Sequence, residues 1–262
     1  MNNCFALRFN LQKSGYDFGE KPHVFAEMFE QDKAFIEETL RQYEEINTKS
    51  AEKIIAEYDI RRLDFLKDKK LMLFGDSNLS ERISYGKILE KVLPCSVVDG
   101  AVSGWRSVQL LSEIDRMLLN NNPDIAVIQI GTNDSFFCDK EAKTLCVSKE
   151  EYQRNLESII EKIKRKGIKV IVNAIAPAYC EVIEKNHAFW TQTYENNENF
   201  NIIAKYCAEK AGVPFFDFRD IFKDKENYGE LFYSDGVHLT SVSQALIADK
   251  FVRFLGEKYG NY

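Results

Sequence analysis

From residue 70 onward, short apolar runs alternate with amphipathic segments of helical period. This alternation is typical of parallel strands that are joined by right-handed helical crossovers. The predicted strands cover residues 71–74, 96–98, 125–130, 170–174 and 213–216. The predicted helices lie near residues 81–93, 105–119, 149–166, 199–211 and 242–256. We therefore expect an α/β domain around a five-stranded parallel sheet.

The segment before residue 67 has a different pattern. It is charged and carries apolar residues at near-helical spacing, namely Phe25, Phe29, Ile36, Leu40 and Tyr43. This pattern predicts an N-terminal helical extension over residues 1–66, which does not contribute to the sheet of the following domain, residues 67–262. The polar run 47–50 predicts that the extension is broken into two helices. The apolar stripe must be buried against that domain or against another chain, which leaves a homo-oligomer through these helices open.

Charge and composition limit the kinds of molecule that this chain is expected to bind. The chain has 262 residues, 45% of them hydrophobic, which suffices for a sizeable core. A net charge of −6 argues against nucleic acid or an anionic membrane as partner. The basic run 162–169 lies where a predicted helix ends, and its cations complement the helix dipole there. No stretch of about 18 apolar residues occurs, so a membrane span is not expected.

The cysteines and the N-terminus bear on location. None of the six cysteines forms a CxxC pair, and several lie in apolar runs. They are typical of small buried hydrophobic residues in a reducing compartment, although a disulfide between Cys138 and Cys146 stays open. No apolar core of signal-peptide length follows the first residues. These features favour a cytoplasmic protein.

Polar and glycine residues follow each predicted strand. They are residues 75–77, 99–105, 131–134, 176–179 and, after the last strand, 233–240. Ligands of such parallel sheets bind at the carboxyl ends of the strands. We therefore expect the functional site at this edge.

A candidate nucleophile and base occur in these segments. Ser77 follows the first strand, where a serine is usually a helix cap. His238 follows Asp235 by three residues across Gly236. A carboxylate at that spacing can accept the imidazole Nδ1–H and leave Nε2 for a serine, although Asp235 also suits a turn. The other histidines, His23 and His187, lie in the extension and in a polar loop and are typical of surface residues.

An acyl transfer also needs donors for the oxyanion. The backbone N–H of Gly104, the side-chain amide of Asn133 and the backbone N–H of Ser77 are candidates. Taken singly, each also suits an ordinary turn.

Together these residues resemble a known family. Residues 75–77, Gly104, residues 131–134 and residues 235–238 are similar to the four signature blocks of the SGNH hydrolases, also called GDSL esterases, over about residues 70–257. The resemblance implies a flavodoxin-like three-layer α/β/α fold and a serine esterase without a metal or cofactor. It assigns Ser77 as nucleophile, His238 as base and Asp235 as its orienting acid, with Ser77, Gly104 and Asn133 in the oxyanion hole. Asn78 departs from the leucine in the family name.

Other motifs fail, and two classes of function remain. The P-loop motif does not match, because Glu81 stands where that motif requires glycine. The α/β-hydrolase motif GxSxG does not match either, because Leu79 stands at its last glycine. No dinucleotide-binding or HExxH motif occurs. The first class is a serine hydrolase of short acyl esters, carbohydrate O-acetyl esters among them, or an acyltransferase with the same triad. The second is a binding or scaffolding protein with this fold. Aromatic residues at the predicted edge would stack on a sugar or line an acyl pocket, or pack the loops: Trp105, Phe136, Phe137, Tyr179, Trp190 and Tyr194.

Overall fold

The five predicted strands form one parallel sheet. The structure is a computed structural model that describes residues 5–8, 22–139, 141–185 and 191–260. Its strands are β1 (Lys70–Gly75), β2 (Ser96–Asp99), β3 (Ile125–Gln129), β4 (Phe137–Asp139), β5 (Thr144–Leu145), β6 (Lys169–Asn173) and β7 (Phe215–Phe216). The sheet order is β2-β1-β3-β6-β7, and β4 and β5 form a separate antiparallel hairpin. This is the flavodoxin-like order, whose switch point lies between β1 and β3.

Helices cover both faces of the sheet. The α-helices are α1 (Pro22–Met28), α2 (Lys33–Glu57), α3 (Ser77–Ser80), α4 (Tyr85–Val92), α5 (Ser107–Asn121), α6 (Lys149–Arg165), α7 (Cys180–Lys185), α8 (Tyr194–Ala211), α9 (Tyr228–Leu231) and α10 (Ser241–Tyr259). Short 3-10 helices cover Phe5–Arg8, Ile60–Leu66, Arg219–Phe222 and Lys225–Asn227. Helices α5, α6 and α8 pack side by side on one face, and α2, α4 and α10 on the other. The three-layer α/β/α architecture is confirmed.

The alternation of side chains along β1 divides the core in two. Leu71 and Leu73 point into the cluster under α4 and α10, whereas Met72 and Phe74 point into the cluster under α5 and α6. All four side chains are buried, and burying each one contributes about 1.5–3 kcal/mol to folding. A strand that is buried on both faces has a continuous apolar sequence, which is the pattern at residues 71–74.

Two helix starts differ from the prediction. The segment predicted as a loop, residues 193–201, contains the N-cap and first turns of α8, and Thr193 Oγ1 accepts the backbone N–H of Asn196. Its polar side chains are buried against backbone: Asn197 donates to the Ala176 carbonyl, and Asn201 both accepts from and donates to Ile175. The loop prediction was wrong because these amides are satisfied inside the protein and not by water.

The predicted helix 81–93 begins later, at Tyr85. Ser84 is its N-cap and accepts the N–H of Lys87. The helix near 149–166 agrees with its sequence signals: Ser148 Oγ accepts the N–H of Glu151 at the start, and Gly167, with φ +74°, follows the end.

The described part of the extension, residues 5–8 and 22–66, is mainly helical. Helix α2 continues through residues 47–50, so the predicted break there is wrong. Asn47 donates from its side chain to the Arg82 carbonyl, and the Ser50 hydroxyl bonds to the carbonyl four residues earlier, so these polar groups are compatible with a helix. The chain interrupts its helices instead between α1 and α2, at residues 29–32.

The extension shares its hydrophobic contacts between two clusters. Phe25 and Ile36 are buried together with Leu7, so part of the apolar stripe is covered within the chain. Further along α2, Ala51 and Ile54 belong to the same core as α4 and α10. The domain boundary at residue 66 and self-association through these helices stay predictions.

The cysteines fit the buried-residue interpretation only in part. Among the five described, Cys207 is buried and Cys138 is exposed. The Sγ atom of Cys138 lies 2.7 Å from that of Cys146, so the two cysteines whose pairing the sequence leaves open are adjacent in the fold. Within the described ranges, no helix combines the length and the apolar character that a membrane span needs.

Candidate active site

Ser77 stands at a tight turn between β1 and α3. A Cβ atom on Gly75 would lie 2.5 Å from the Gln129 carbonyl oxygen, so only glycine lets β1 approach β3 so closely there. Asp76 is the N-cap of α3, and its Oδ1 accepts the Asn78 N–H at 3.2 Å. Ser77 is the first residue of the helix, and the capping role that was the alternative for Ser77 belongs to Asp76. The Ser77 hydroxyl therefore stays available for another contact.

The turn of residues 235–238 holds the imidazole. Asp235 Oδ1 accepts the backbone N–H groups of Val237 and His238, each at 2.9 Å, and its Oδ2 lies 2.6 Å from His238 Nδ1. Gly236 has φ +74°, and a Cβ there would meet the Tyr179 carbonyl oxygen at 2.7 Å. The backbone conformation and the close approach both require glycine, which explains the spacing of Asp235 and His238.

The two turns meet at the carboxyl edge of the sheet. His238 Nε2 lies 2.9 Å from Ser77 Oγ, across 161 residues of sequence. Both residues are only 5% exposed. A continuous hydrogen-bond path thus runs from the Asp235 carboxylate through the imidazole to the Ser77 hydroxyl. This arrangement can remove the proton of the hydroxyl while the carboxylate stabilises the imidazolium that forms.

The surrounding charges tune the imidazole. Burial disfavours its charged form, but the hydrogen bond from His238 to Asp235 and the carboxylates of Glu81 and Asp235 outweigh burial and raise the pKa of His238. Burial also acts on Asp235, yet its bonds to His238 and Val237 lower the pKa of this carboxyl. At neutral pH, Asp235 is therefore ionised, and His238 titrates above its usual value of about 6.5.

We expect the activity of the protein to rise with pH through a midpoint above about 6.5, since only the neutral imidazole accepts a proton.

Asp235→Ala should lower kcat less than His238→Ala does, because the acid orients the base and takes no proton. Without the carboxylate, the pKa of His238 falls, so the acid limb of kcat/KM should move to lower pH. Rates measured between about pH 5 and 9 check both expectations, and a flat wild-type profile with rate-limiting chemistry would contradict a histidine base.

Two of the three candidate oxyanion donors, Gly104 and Asn133, belong to loops that hydrogen bonds join to each other. Asn133 Nδ2 donates to the Trp105 carbonyl oxygen at 2.9 Å, and Arg106 Nε donates back to the Asn133 carbonyl at 3.3 Å. Gly104 has φ +79°. Among the described residues, no atom beyond Gly104 and its two chain neighbours lies within 4 Å of the position of a Cβ atom there. The backbone conformation favours glycine at 104, and the space beside it is open. The oxyanion role of both residues stays a proposal.

Several residues around the site were missed by sequence reasoning. Asp134 is buried and accepts the backbone N–H of Ser107, which fixes the start of α5 to the loop of Asn133. Glu81 is buried beside His238 and pairs with Arg8 of the extension. The sequence points to Asp134 and Glu81 only through their positions. Asp134 is an acidic residue within the motif block 131–134, and Glu81 follows the block 75–77 by four residues. Arg8 has no such signal.

The remaining candidates have mixed outcomes. Tyr179 packs against Tyr228 and Phe232, with ring centroids 5.2 and 5.9 Å apart, and Phe136 is buried, so both pack the loops. Trp105 and Phe137 are partly buried, and Tyr194 is 42% exposed. His23 is exposed on α1. Trp190 and His187 lie outside the described residues.

Comparisons with known proteins agree with this fold. The model of the GDSL-like lipase/acylhydrolase family matches residues 73–246. The GDSL esterase/lipase WDL1 of Oryza sativa subsp. japonica is 22% identical, over 59% of this chain and 63% of its own length. The solved lipase/acylhydrolase from Enterococcus faecalis is 20% identical with a TM-score of 0.60, over 72% of this chain and 96% of that one. An acetyl xylan esterase structure from Geobacillus stearothermophilus is 22% identical with a TM-score of 0.59, over 72% and 95% of the two chains.

Proposed function

The chain belongs to the GDSL-like lipase/acylhydrolase family, and from this premise we propose that it is a serine esterase that acts through Ser77, His238 and Asp235. The single observation that carries the proposal is the unbroken path from Asp235 through His238 to Ser77, with contacts of 2.6 and 2.9 Å. A binding protein has no need of this alignment. The scaffold alternative lacks a comparable observation in its favour.

In the proposed reaction, Ser77 Oγ attacks the carbonyl carbon of the ester while His238 Nε2 takes the hydroxyl proton. The backbone N–H groups of Ser77 and Gly104 and the Asn133 amide stabilise the oxyanion. As the intermediate collapses, His238 returns the proton to the leaving alcohol, and an acyl-enzyme remains. A water molecule then gives a proton to His238 and attacks the acyl carbonyl. As this second intermediate collapses, the bond to Ser77 Oγ breaks, His238 returns the proton to Ser77 Oγ, and the acid leaves.

For the substrate, we propose short acyl groups, with carbohydrate O-acetyl esters as the first class to test. Trp105 supports this, because the residue is only partly buried and its carbonyl oxygen is bonded to Asn133, which places an aromatic residue beside the proposed oxyanion hole. The acetyl xylan esterase among the similar structures points to the same class. We also propose a cytoplasmic location, because the six cysteines include no CxxC pair and several lie in apolar runs, as is typical of a reducing compartment.

A fluorophosphonate probe tests the proposed function. It should label the wild-type protein at Ser77, as read by peptide mass spectrometry, and should not label Ser77→Ala. Ser80→Ala is the matched control, because Ser80 is a buried serine of the same short helix and should leave labelling unchanged. An unlabelled wild-type protein would favour the scaffold alternative.

Nitrophenyl esters of increasing chain length, assayed beside acetylated sugars, test the substrate class. We expect the highest kcat/KM on acetyl esters. Added alcohol acceptors that capture the acyl group faster than water does would indicate an acyltransferase.

A further inference from the structure

An ion pair from the N-terminal segment lies next to the imidazole. Glu81 is the C-cap of the short helix α3, which begins with Ser77, and its side chain is 0% exposed. The Arg8 Nη2 group donates to the Glu81 carboxylate, and the Arg8 side chain is only 3% exposed. A pair so deeply buried loses most of its attraction to desolvation, so stability alone does not explain its presence.

Arg8 also contacts the loop that carries His238. Its Nη2 group donates to the Leu239 carbonyl oxygen at 2.9 Å, and its guanidinium lies 3.5 Å from the centroid of the Tyr233 ring. Tyr233 and Leu239 are the first and last residues of the 233–239 loop. A hydrogen bond of 2.8 Å from the Tyr233 N–H to the His238 carbonyl oxygen closes this loop. The guanidinium therefore contacts both ends of this loop.

The backbone of Arg8 is fixed to the Ser77 side of the site. Its carbonyl oxygen accepts the Arg82 N–H at 2.7 Å, directly after Glu81. Arg8 thus joins the segment that follows Ser77 to the loop that holds Asp235 and His238. The contact between Ser77 and His238 depends on the relative position of these two segments.

We propose that Arg8 and Glu81 are positioning residues that hold the His238 loop against the Ser77 turn, so that the N-terminal segment completes the active site. This inference rests on the proposed function. It assigns a role to a segment that lies outside residues 73–246, which the family model covers. A shift in the relative position of the two turns of about 1 Å would cost up to about 100-fold in rate.

The pair also acts through its charges. In the described part of the chain, the ionisable groups that interact with His238 include Asp235, Glu81, Arg8 and Asp76. The Glu81 carboxylate raises the pKa of His238, whereas the Arg8 cation lowers it. Burial raises the pKa of Glu81 itself to about 7, against the opposing effect of Arg8. Without Arg8, this carboxyl would be neutral at pH 7.

Three variants separate positioning from a merely structural role. Glu81→Gln leaves the Arg8 cation beside His238, so the pKa of His238 should fall and the acid limb of kcat/KM should move to lower pH. In Arg8→Met and in Arg8→Met/Glu81→Gln, the raising and lowering charges are both lost. Because Glu81 raises the pKa of His238 more than Arg8 lowers it, this limb should move to lower pH by less than in Glu81→Gln. In all three, kcat per folded molecule should fall about 10- to 100-fold.

The double variant keeps the proposal testable if Arg8→Met folds poorly, because it leaves no buried charge without its partner. Arg41→Met/Glu38→Gln is the matched control, since it removes an exposed ion pair of the same extension. Wild-type kcat and an unmoved profile in the Arg8 and Glu81 variants would overturn the inference. An NMR titration of the His238 imidazole reads the Glu81→Gln shift without turnover. An inactive wild type with that shift present would therefore count against the proposed function and not against the pair.

Discussion

Ser77→Ala and His238→Ala should each reduce ester hydrolysis by about 10⁴- to 10⁶-fold and leave the fold intact. Removing the Ser77 hydroxyl deletes the attacking atom, and removing the imidazole deletes the group 2.9 Å away that takes its proton. Because the two residues act as a unit, the double variant should be no worse than either single variant. Measured kcat values and thermal midpoints on the same preparations check this.

The control for these variants is a histidine away from the site. His23→Ala should be close to neutral, because His23 is exposed on α1. We expect the same of His187→Ala from its sequence context. Wild-type rates in Ser77→Ala would contradict the mechanism, and a large loss in His187→Ala would mean that another histidine is the base.

The sheet and the meeting of the two turns were predictable because each rests on a local pattern. Apolar runs such as residues 71–74 predict strands buried on both faces, and the carboxyl ends of parallel strands share one edge. The three-residue spacing of Asp235 and His238 is set by one turn around Gly236. Within the proposed triad, the contact between Ser77 and His238 joins residues 161 positions apart, and the common edge brings them together.

What the sequence did not predict depends on where polar groups find their partners. Asn197 and Asn201 suggest a solvated loop, yet their amides bond to the backbone that follows β6. Asn47 suggests a helix break, yet it donates to the Arg82 carbonyl. Composition does not distinguish a side chain satisfied by water from one satisfied by distant backbone. For the same reason, Arg8 could not be linked to Glu81 before the tertiary packing was known.

Asn133→Ala should lower kcat by about 100- to 1,000-fold, or about 3–4 kcal/mol, and leave KM nearly unchanged. In the structure, the Asn133 amide nitrogen already donates one hydrogen to the Trp105 carbonyl oxygen. This bond fixes the orientation of the amide, and an amide nitrogen carries a second hydrogen that can serve an oxyanion. A donor held in place before the reaction stabilises the transition state most, because charge develops only there.

The bond to Trp105 also gives Asn133 a structural role, so the variant needs a control for stability. Asn201→Ala is suitable, because Asn201 is equally buried and bonds to backbone at Ile175, away from Ser77 and His238. We expect it to lower the thermal midpoint and to preserve kcat per folded molecule. If Asn133→Ala behaves in the same way, Asn133 only stabilises the turn after β3.

Asn133→Asp distinguishes more sharply between an oxyanion donor and a residue that only stabilises the loop. Aspartate keeps the size of the side chain but replaces the donor with an acceptor and adds a negative charge beside the forming oxyanion. It should therefore reduce kcat at least as much as alanine does. The pH dependence adds a second readout. At low pH, the new carboxyl is protonated and becomes a donor again, but His238 is protonated too and no longer acts as a base. Activity that recovers on acidification would show that His238 is not the base, whereas a persistent loss at every pH fits an oxyanion donor.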